Sequence, residues 1–336
     1  MTTRGLSIVV IGRNEGPRLM RCLQSIHDVH DLGAEIEMIY VDSGSTDGSP
    51  EVAASFGARV IVLNTDRPTA ALGRDTGWRS ASFDFVLFLD GDTVLHPDFP
   101  SRALDMITAD SSLASVWGRL REIHPEASLY NRVLDLDWIY PTGEVDLCGG
   151  NVLMRRCALQ AAGGYDATLI AGEEPELCCR IRAHGYRIFN MDAPMVGHDL
   201  AMTRFRQYWK RAVRTGYAYA EVSRRYRDTK NPFWSSERTN NLKRGIFWGL
   251  SPIVAIIASI LSQSVLPVIL WCAIFSGFSL RSSLSARWKS RDVLALLLYG
   301  MHSHFQQIPI CVGQLQYEFS QKKGPKKRLI EYKENT

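Results

Sequence analysis

Phe85-Val86-Leu87-Phe88-Leu89-Asp90-Gly91-Asp92 decides how this chain is read. Five apolar residues in succession, bounded by polar ones, predict a strand buried on both faces. The two carboxylates stand two positions apart at its carboxyl end. Alternation can turn both to one side there, and the glycine between them lets the backbone bend towards a ligand. Hard oxygen donors suit Mg2+ or Mn2+, which bind through one or two carboxylates together with substrate phosphates. By itself such a pair is often just a turn; its place at the end of a buried strand gives it weight.

Upstream, residues 6–11 read as a buried strand and residues 17–27 as the helix after it. A second strand over 36–41 is closed by Asp42-Ser43-Gly44-Ser45-Thr46-Asp47-Gly48. Helix 50–56, strand 59–63 and helix 69–80 complete the run up to Phe85. Short apolar runs alternating with helix-length segments predict βαβ units, hence an α/β fold with a parallel sheet covered on both faces. Ligands of such sheets sit at the carboxyl ends of the strands. The polar clusters fall there: Arg13-Asn14-Glu15, Asp42, and Asp90 with Asp92. Asp42 suits hydrogen bonding to a ribose or base, and equally suits a turn beside Gly44 and Gly48.

Two further clusters lie downstream. Gly172-Glu173-Glu174-Pro175-Glu176-Leu177 has the acidic first turn and early proline of any helix start. It also offers a carboxylate general base for an attacking hydroxyl. His198, next to Asp199, is a structural histidine or the imidazole that completes a metal site with the two aspartates.

In order and spacing these pieces resemble the family 2 glycosyltransferases, inverting enzymes with a GT-A fold. The resemblance runs over about residues 6–214. It rests on Val9-Val10-Ile11-Gly12-Arg13-Asn14-Glu15, on Val41-Asp42-Ser43-Gly44-Ser45-Thr46-Asp47-Gly48, and on Phe88-Leu89-Asp90-Gly91-Asp92. It continues through Cys148-Gly149-Gly150-Asn151, Gly163-Gly164-Tyr165-Asp166 and the Gly172–Leu177 helix start. It implies that Asn14, Glu15 and Asp42 line a nucleotide pocket and that Arg74 and Asp75 contact the donor. It further implies that Asp92, with Asp90 and His198, holds Mn2+ or Mg2+ against a diphosphate. Cys148, Gly149, Gly150 and Asn151 correspond to the acceptor-side loop. The family usually has Glu-Asp where this chain has Glu173-Glu174, so Glu174 takes the base position, with Glu173 beside it. Gln207-Tyr208-Trp209-Lys210-Arg211 resembles, without matching, the Gln-x-x-Arg-Trp motif of processive members; Arg211 and Arg214 are expected to assist the leaving diphosphate.

The composition changes after about residue 201. Residues 203–230 contain nine basic and two acidic side chains, a net +7 within a chain of net +4. Aromatic residues are interleaved with them, and directly before an apolar stretch this pattern is what a membrane interface with anionic headgroups selects; without that neighbour a solvated helix with a positive face would be preferred. Residues 245–280 carry no charged side chain. As one helix these 36 residues would extend about 54 Å, against about 30 Å of hydrocarbon. Ser262-Gln263-Ser264, with Pro267 after it, predicts a break and therefore a hairpin. Basic residues on both sides favour both ends in the cytosol. Residues 293–317 are also uncharged but interrupted by His302, His304, Gln306, Gln307 and Pro309; they read as an interfacial or re-entrant element, or a third span. A basic tail, Lys322 to Arg328, is expected on the cytosolic face.

The domains expected are a catalytic domain over 1–202, a basic interfacial region over 203–243, and a membrane hairpin with re-entrant element and tail over 244–336. Seven cysteines without CxxC spacing argue for reduced thiols rather than a disulfide frame. The opening residues do not read as a signal peptide, so the catalytic domain is expected to face the cytoplasm at the inner membrane. The modest overall charge argues against a nucleic-acid partner. The partners expected are a nucleotide-sugar donor, a lipid-linked glycan acceptor and membrane lipids; the oligomeric state is left open. The alternatives carried are a catalytically silent membrane scaffold and a metal-dependent nucleotidyltransferase.

Overall fold

The computed structural model describes residues 5–30 and 32–322. The elements in chain order are β1 (Gly5–Gly12), α1 (Pro17–His27), β2 (Glu35–Asp42), α2 (Ser49–Ser55), β3 (Arg59–Val62) and α3 (Ala70–Ser80). Then come β4 (Phe85–Asp90), β5 (Thr93–Leu95), α4 (Phe99–Ala109), β6 (Leu113–Glu122) and α5 (Leu129–Asp137). They are followed by β7 (Gly143–Val145), β8 (Val152–Arg155), α6 (Arg156–Ala161), α7 (Glu173–Ala183) and β9 (Arg187–His198). Five helices follow among the described residues: α8 (Phe205–Arg225), α9 (Ser235–Ser262), α10 (Leu266–Ser285), α11 (Val293–Phe305) and α12 (Gln307–Lys322). Two compact units result, and the division is not a single cut: residues 124–137 group with the C-terminal helices rather than with the sheet.

The first unit is a nine-stranded mixed sheet in the order β3-β2-β1-β4-β8-β6-β9-β5, with β7 on β9. Its first four strands are parallel, as the βαβ alternation predicts. They form where apolar runs are continuous: Leu6, Ile8, Val9 and Val10 of β1 and Val86 to Phe88 of β4 are wholly buried. Helix α1 covers them with Leu19, Cys22, Leu23 and Ile26, spaced to share one helix face. Helix α3 starts at Thr69, whose hydroxyl accepts from Leu72 N–H at 3.0 Å, an N-cap. The sheet is not parallel throughout, however. β8 runs antiparallel to both β4 and β6, and β9 antiparallel to β5 and β7. These strands include pieces of three or four residues, too short to leave a hydrophobic period in the sequence.

The second unit is helical. The polar break was legible: α9 stops at Ser262, Gln263 caps it in the left-handed conformation, and α10 begins at Leu266. Both helices, 28 and 20 residues long, are long and apolar enough to cross a membrane. Their apolar side chains face outwards, Val254, Ile260 and Leu261 being 62, 71 and 80% exposed. Residues 293–317 form two helices, α11 and α12, of 13 and 16 residues; each is shorter than the roughly 20 residues a span requires. Glycines allow close crossings within this unit. A Cβ on Gly313 of α12 would lie 2.0 Å from the Val213 carbonyl oxygen of α8, and one on Gly300 of α11 would lie 2.1 Å from the Ser279 carbonyl oxygen of α10. A buried polar chain runs from Tyr208 Oη to His302 Nδ1 at 2.8 Å and from His302 Nε2 to Asp137 at 3.2 Å, joining α8, α11 and α5. The basic tail beyond residue 322 lies outside the described residues.

Candidate active site

The carboxyl ends of β1 and β2 are clamped together. Asn14 has φ 53°, a left-handed conformation that asparagine tolerates. Its backbone N–H donates to Ser45 Oγ at 2.9 Å, and its side-chain oxygen accepts from Thr46 N–H at 2.7 Å. Asp42 is wholly buried; it accepts from the Gly44 and Ser45 backbone N–H groups at 2.9 and 2.8 Å and from the hydroxyls of Ser45 and Tyr40. The turn role of Asp42 is therefore realised, and it shapes the ledge beside strand β1. Glu15 is buried and pairs with Arg18 at 2.9 Å.

Asp90 ends β4 and Asp92 precedes β5. Gly91 N–H donates to the Ile11 carbonyl at 2.8 Å, and a Cβ there would stand 3.2 Å from that same oxygen, so the glycine lets the turn lie against β1. β5 turns back onto β9 and sets Thr93 opposite His198, while β6 sets Glu122 opposite it on the other side. His198 is thus held by strands on both flanks. One oxygen or nitrogen from each of Asp90, Asp92 and His198 lies within 4.8 Å of the others, with Asp92 and His198 buried. His198 Nε2 is 3.6 Å from Asp92 Oδ2, and Nδ1 is 4.0 Å from Glu122 Oε2. The ring of Trp138 lies 4.7 Å from the His198 ring, centroid to centroid. Two carboxylates and an imidazole fit a borderline-hard divalent ion such as Mn2+.

Arg74 organises the other side. Buried on α3, its guanidinium lies 2.7 Å from Asp90 Oδ1, 3.0 Å from Glu173 Oε1 and 2.8 Å from Glu174 Oε1. Burial alone would lower its pKa; the carboxylates of Glu174, Asp90 and Glu173 outweigh that and raise it. Room for this fork depends on Gly150, where a Cβ would meet Arg74 Nη2 at 2.1 Å. Asn151 holds Asp90 by its backbone, accepting from Asp90 N–H at 3.0 Å. Glu173 and Glu174 open α7 after Gly172, which is left-handed at φ 82°. Burial, then repulsion from Glu173, pushes Glu174 up to about 7 against the pull of Arg74.

The remaining candidates are placed as follows. Asp75 turns away from Arg74 and accepts from Trp78 Nε1, Arg79 Nε and Tyr165 N–H at 2.8, 2.8 and 3.1 Å, fastening α3 to the Gly163-Gly164 loop. Cys148 is buried with its sulfur 3.4 Å from that of Cys178, both thiols free, and that contact, then burial, raises its pKa. Gly149 follows it in the loop leading to Gly150 and β8. Arg211 and Arg214 lie on α8, in the helical unit. Sequence reasoning passed over Glu122 and Trp138. Glu122 carried the same signal as Asp42 and Asp90, a carboxylate at the end of a strand; Trp138 carried none.

With this geometry in view, residues 7–161 match the family model for glycosyl transferase family 2. They form a family 2 glycosyltransferase domain. The family match covers β1 to α6, and Glu173, Glu174 and His198 lie beyond its end. Among relatives, the succinoglycan biosynthesis protein ExoA of Rhizobium meliloti is 25% identical over 322 residues, 90% of this chain and 93% of that protein. Glycosyltransferase AglE of Haloferax volcanii is 22% identical over 192 residues, 54% of this chain; the match spans 63% of AglE. The fold is similar to that of the mannosyltransferase PcManGT from Pyrobaculum calidifontis in complex with GDP-Man and Mn2+, at a TM-score of 0.65 and 19% identity over 94% of this chain and 88% of that one. The mixed sheet is thus a GT-A-type glycosyltransferase fold.

Proposed function

We propose that the protein is an inverting, metal-dependent glycosyltransferase of the cytoplasmic face of the inner membrane. It moves a sugar from a nucleotide-sugar donor to a hydroxyl of a polyprenyl-linked glycan in cell-surface polysaccharide or glycoconjugate synthesis. The observation that carries this reading is Arg74, which ties the Asp90–Asp92–His198 cluster to Glu174. Glu174 accepts the proton of the acceptor hydroxyl as its oxygen bonds to the anomeric carbon. The bond from that carbon to the diphosphate breaks on the opposite side, and the electron pair leaves with the nucleoside diphosphate. Asp90, Asp92 and His198 would hold a divalent ion, Mn2+ or Mg2+, which neutralises charge on the leaving diphosphate. Glu173 and Asp90 keep the Arg74 fork in place, and Arg74 in turn keeps Glu174 oriented. Asn14, Glu15 and Asp42 shape the nucleotide ledge, and Cys148 to Asn151 form the acceptor-side loop.

The acceptor class rests on the helical unit. Outward-facing apolar side chains on α9 and α10 favour a bilayer, and a lipid-linked acceptor is presented there. The name of ExoA points to polysaccharide synthesis, and PcManGT carries a nucleotide sugar with Mn2+. Binding of UDP-, GDP- and dTDP-sugars to detergent-purified protein, with Mn2+ or with chelator, tests the donor half. Metal-dependent binding of one donor that Asp92→Ala abolishes is the expected result. Folded protein that binds none of them overturns the reading in favour of a silent scaffold.

A further inference from the structure

We propose that Glu122 and Trp138 are positioning residues for His198, fixing its ring so that Nε2 faces Asp92 and Asp90 while Nδ1 faces a carboxylate. This rests on the proposed metal site. An imidazole that binds an ion through Nε2 must carry its proton on Nδ1, and what lies beside Nδ1 selects that tautomer. Glu122 Oε2 is 4.0 Å from Nδ1, its side chain is closed to solvent, and the Leu200 N–H donates to the same oxygen at 3.1 Å. Glu122 and His198 are also register partners on adjoining strands, and Ile123 N–H donates to the His198 carbonyl at 2.9 Å. The carboxylate therefore cannot drift relative to the histidine backbone. Trp138 covers the ring, its plane inclined at 49°, and limits rotation about the histidine side-chain bonds.

A carboxylate–histidine–ion arrangement makes the imidazole a better donor and typically changes metal affinity by about 10- to 100-fold. The separation of 4.0 Å exceeds a hydrogen bond, and such contacts tighten when the site is loaded. Burying the Glu122 carboxylate on the far side of the His198 ring from Asp92 adds negative charge next to the imidazole, which strengthens it as a donor to a divalent cation.

The test measures Mn2+ binding to the full chain in detergent by electron paramagnetic resonance, together with the nitrogen coupling that an imidazole ligand imposes on the bound ion. Wild type, His198→Ala, Glu122→Gln, Glu122→Asp and Trp138→Ala are compared, with thermal melts of the metal-free proteins as folding controls. Glu122→Gln and Trp138→Ala should weaken Mn2+ by about 10- to 100-fold and diminish the nitrogen coupling, and Glu122→Asp should retain part of both. Should Glu122→Gln fail to fold, Glu122→Asp and Trp138→Ala carry the comparison. Unchanged affinity and coupling in these variants, while His198→Ala loses both, overturns the positioning role and leaves the metal site standing. Wild type that binds no Mn2+, or binds it without nitrogen coupling, removes the metal site and this inference with it.

Discussion

Arg74 Nη1 lies 2.8 Å from Glu174 Oε1, so the candidate base sits on the same guanidinium that holds Asp90. A single buried cation thereby serves three carboxylates. Removing it leaves charges without compensation in a buried place, at a cost of about 3–5 kcal/mol. Arg74→Ala is therefore expected to lower the thermal midpoint sharply and to abolish sugar transfer. Arg74→Lys keeps the charge but lacks the planar fork that spans Asp90 and the two glutamates, and should fold while transferring slowly. An Arg74→Ala protein of unchanged melting temperature would mean that the cluster is not buried as described.

Glu174 supplies a pH signature. Its carboxyl is raised to about 7, by burial first and by Glu173 second. As a base it must be deprotonated, so transfer should climb about tenfold per pH unit below 7 and level off above it. Glu174→Gln should lower transfer by about 10²- to 10⁴-fold with donor binding retained. Stability carries the opposite sign. The folded protein holds this proton more tightly than the unfolded chain, so the contribution is full below about pH 4.5, where an ordinary glutamate titrates, and is lost as pH rises through about 7. Melting temperatures of Glu174→Gln should fall less steeply than wild type across that window.

Much of this site was legible because its parts sit where chemistry and chain pattern coincide. Asp90, Asp92 and Asp42 each close an apolar run, and the first four strands follow from runs of hydrophobic residues. The antiparallel half was not legible: β5, β7 and β8 have three or four residues, and their pairing depends on contacts distant in sequence. Arg74 and Asp75 are neighbours in sequence, but adjacent helix positions point about 100° apart. Arg74 accordingly turns to Asp90, and Asp75 to Tyr165. Trp138 left no signal because its neighbour across the fold, His198, lies 60 positions away.

Gly150 tests the packing beneath the chemistry. An added Cβ would meet Arg74 Nη2 at 2.1 Å and Cζ at 3.0 Å, so the fork must withdraw from Asp90. Overpacking of this kind costs about 1–3 kcal/mol. Gly150→Ala should lose transfer well before it loses fold, whereas Gly149→Ala, with nothing within 4 Å of its Cβ, should leave the packing and the Arg74 fork unchanged and cost far less transfer. Equal effects of the two substitutions on transfer would detach Gly150 from the Arg74 fork.

The outward face of α9 allows a test that separates a membrane hairpin from a water-exposed helix. Val254 is near the middle of the uncharged part of α9 and is 62% exposed, and Ile257 one turn on is 51% exposed. In a bilayer, arginine at the centre of a helix costs about 2.5–3.5 kcal/mol, so Val254→Arg with Ile257→Arg should shift protein from the carbonate-resistant membrane pellet to the supernatant or to degradation. On a water-exposed helix the same pair should improve solubility and leave the distribution unchanged. The control is Lys243→Ala with Arg244→Ala, which keeps the apolar face and removes only the flanking charge; it should leave the pellet fraction intact if burial in lipid, rather than attraction to headgroups, holds the hairpin.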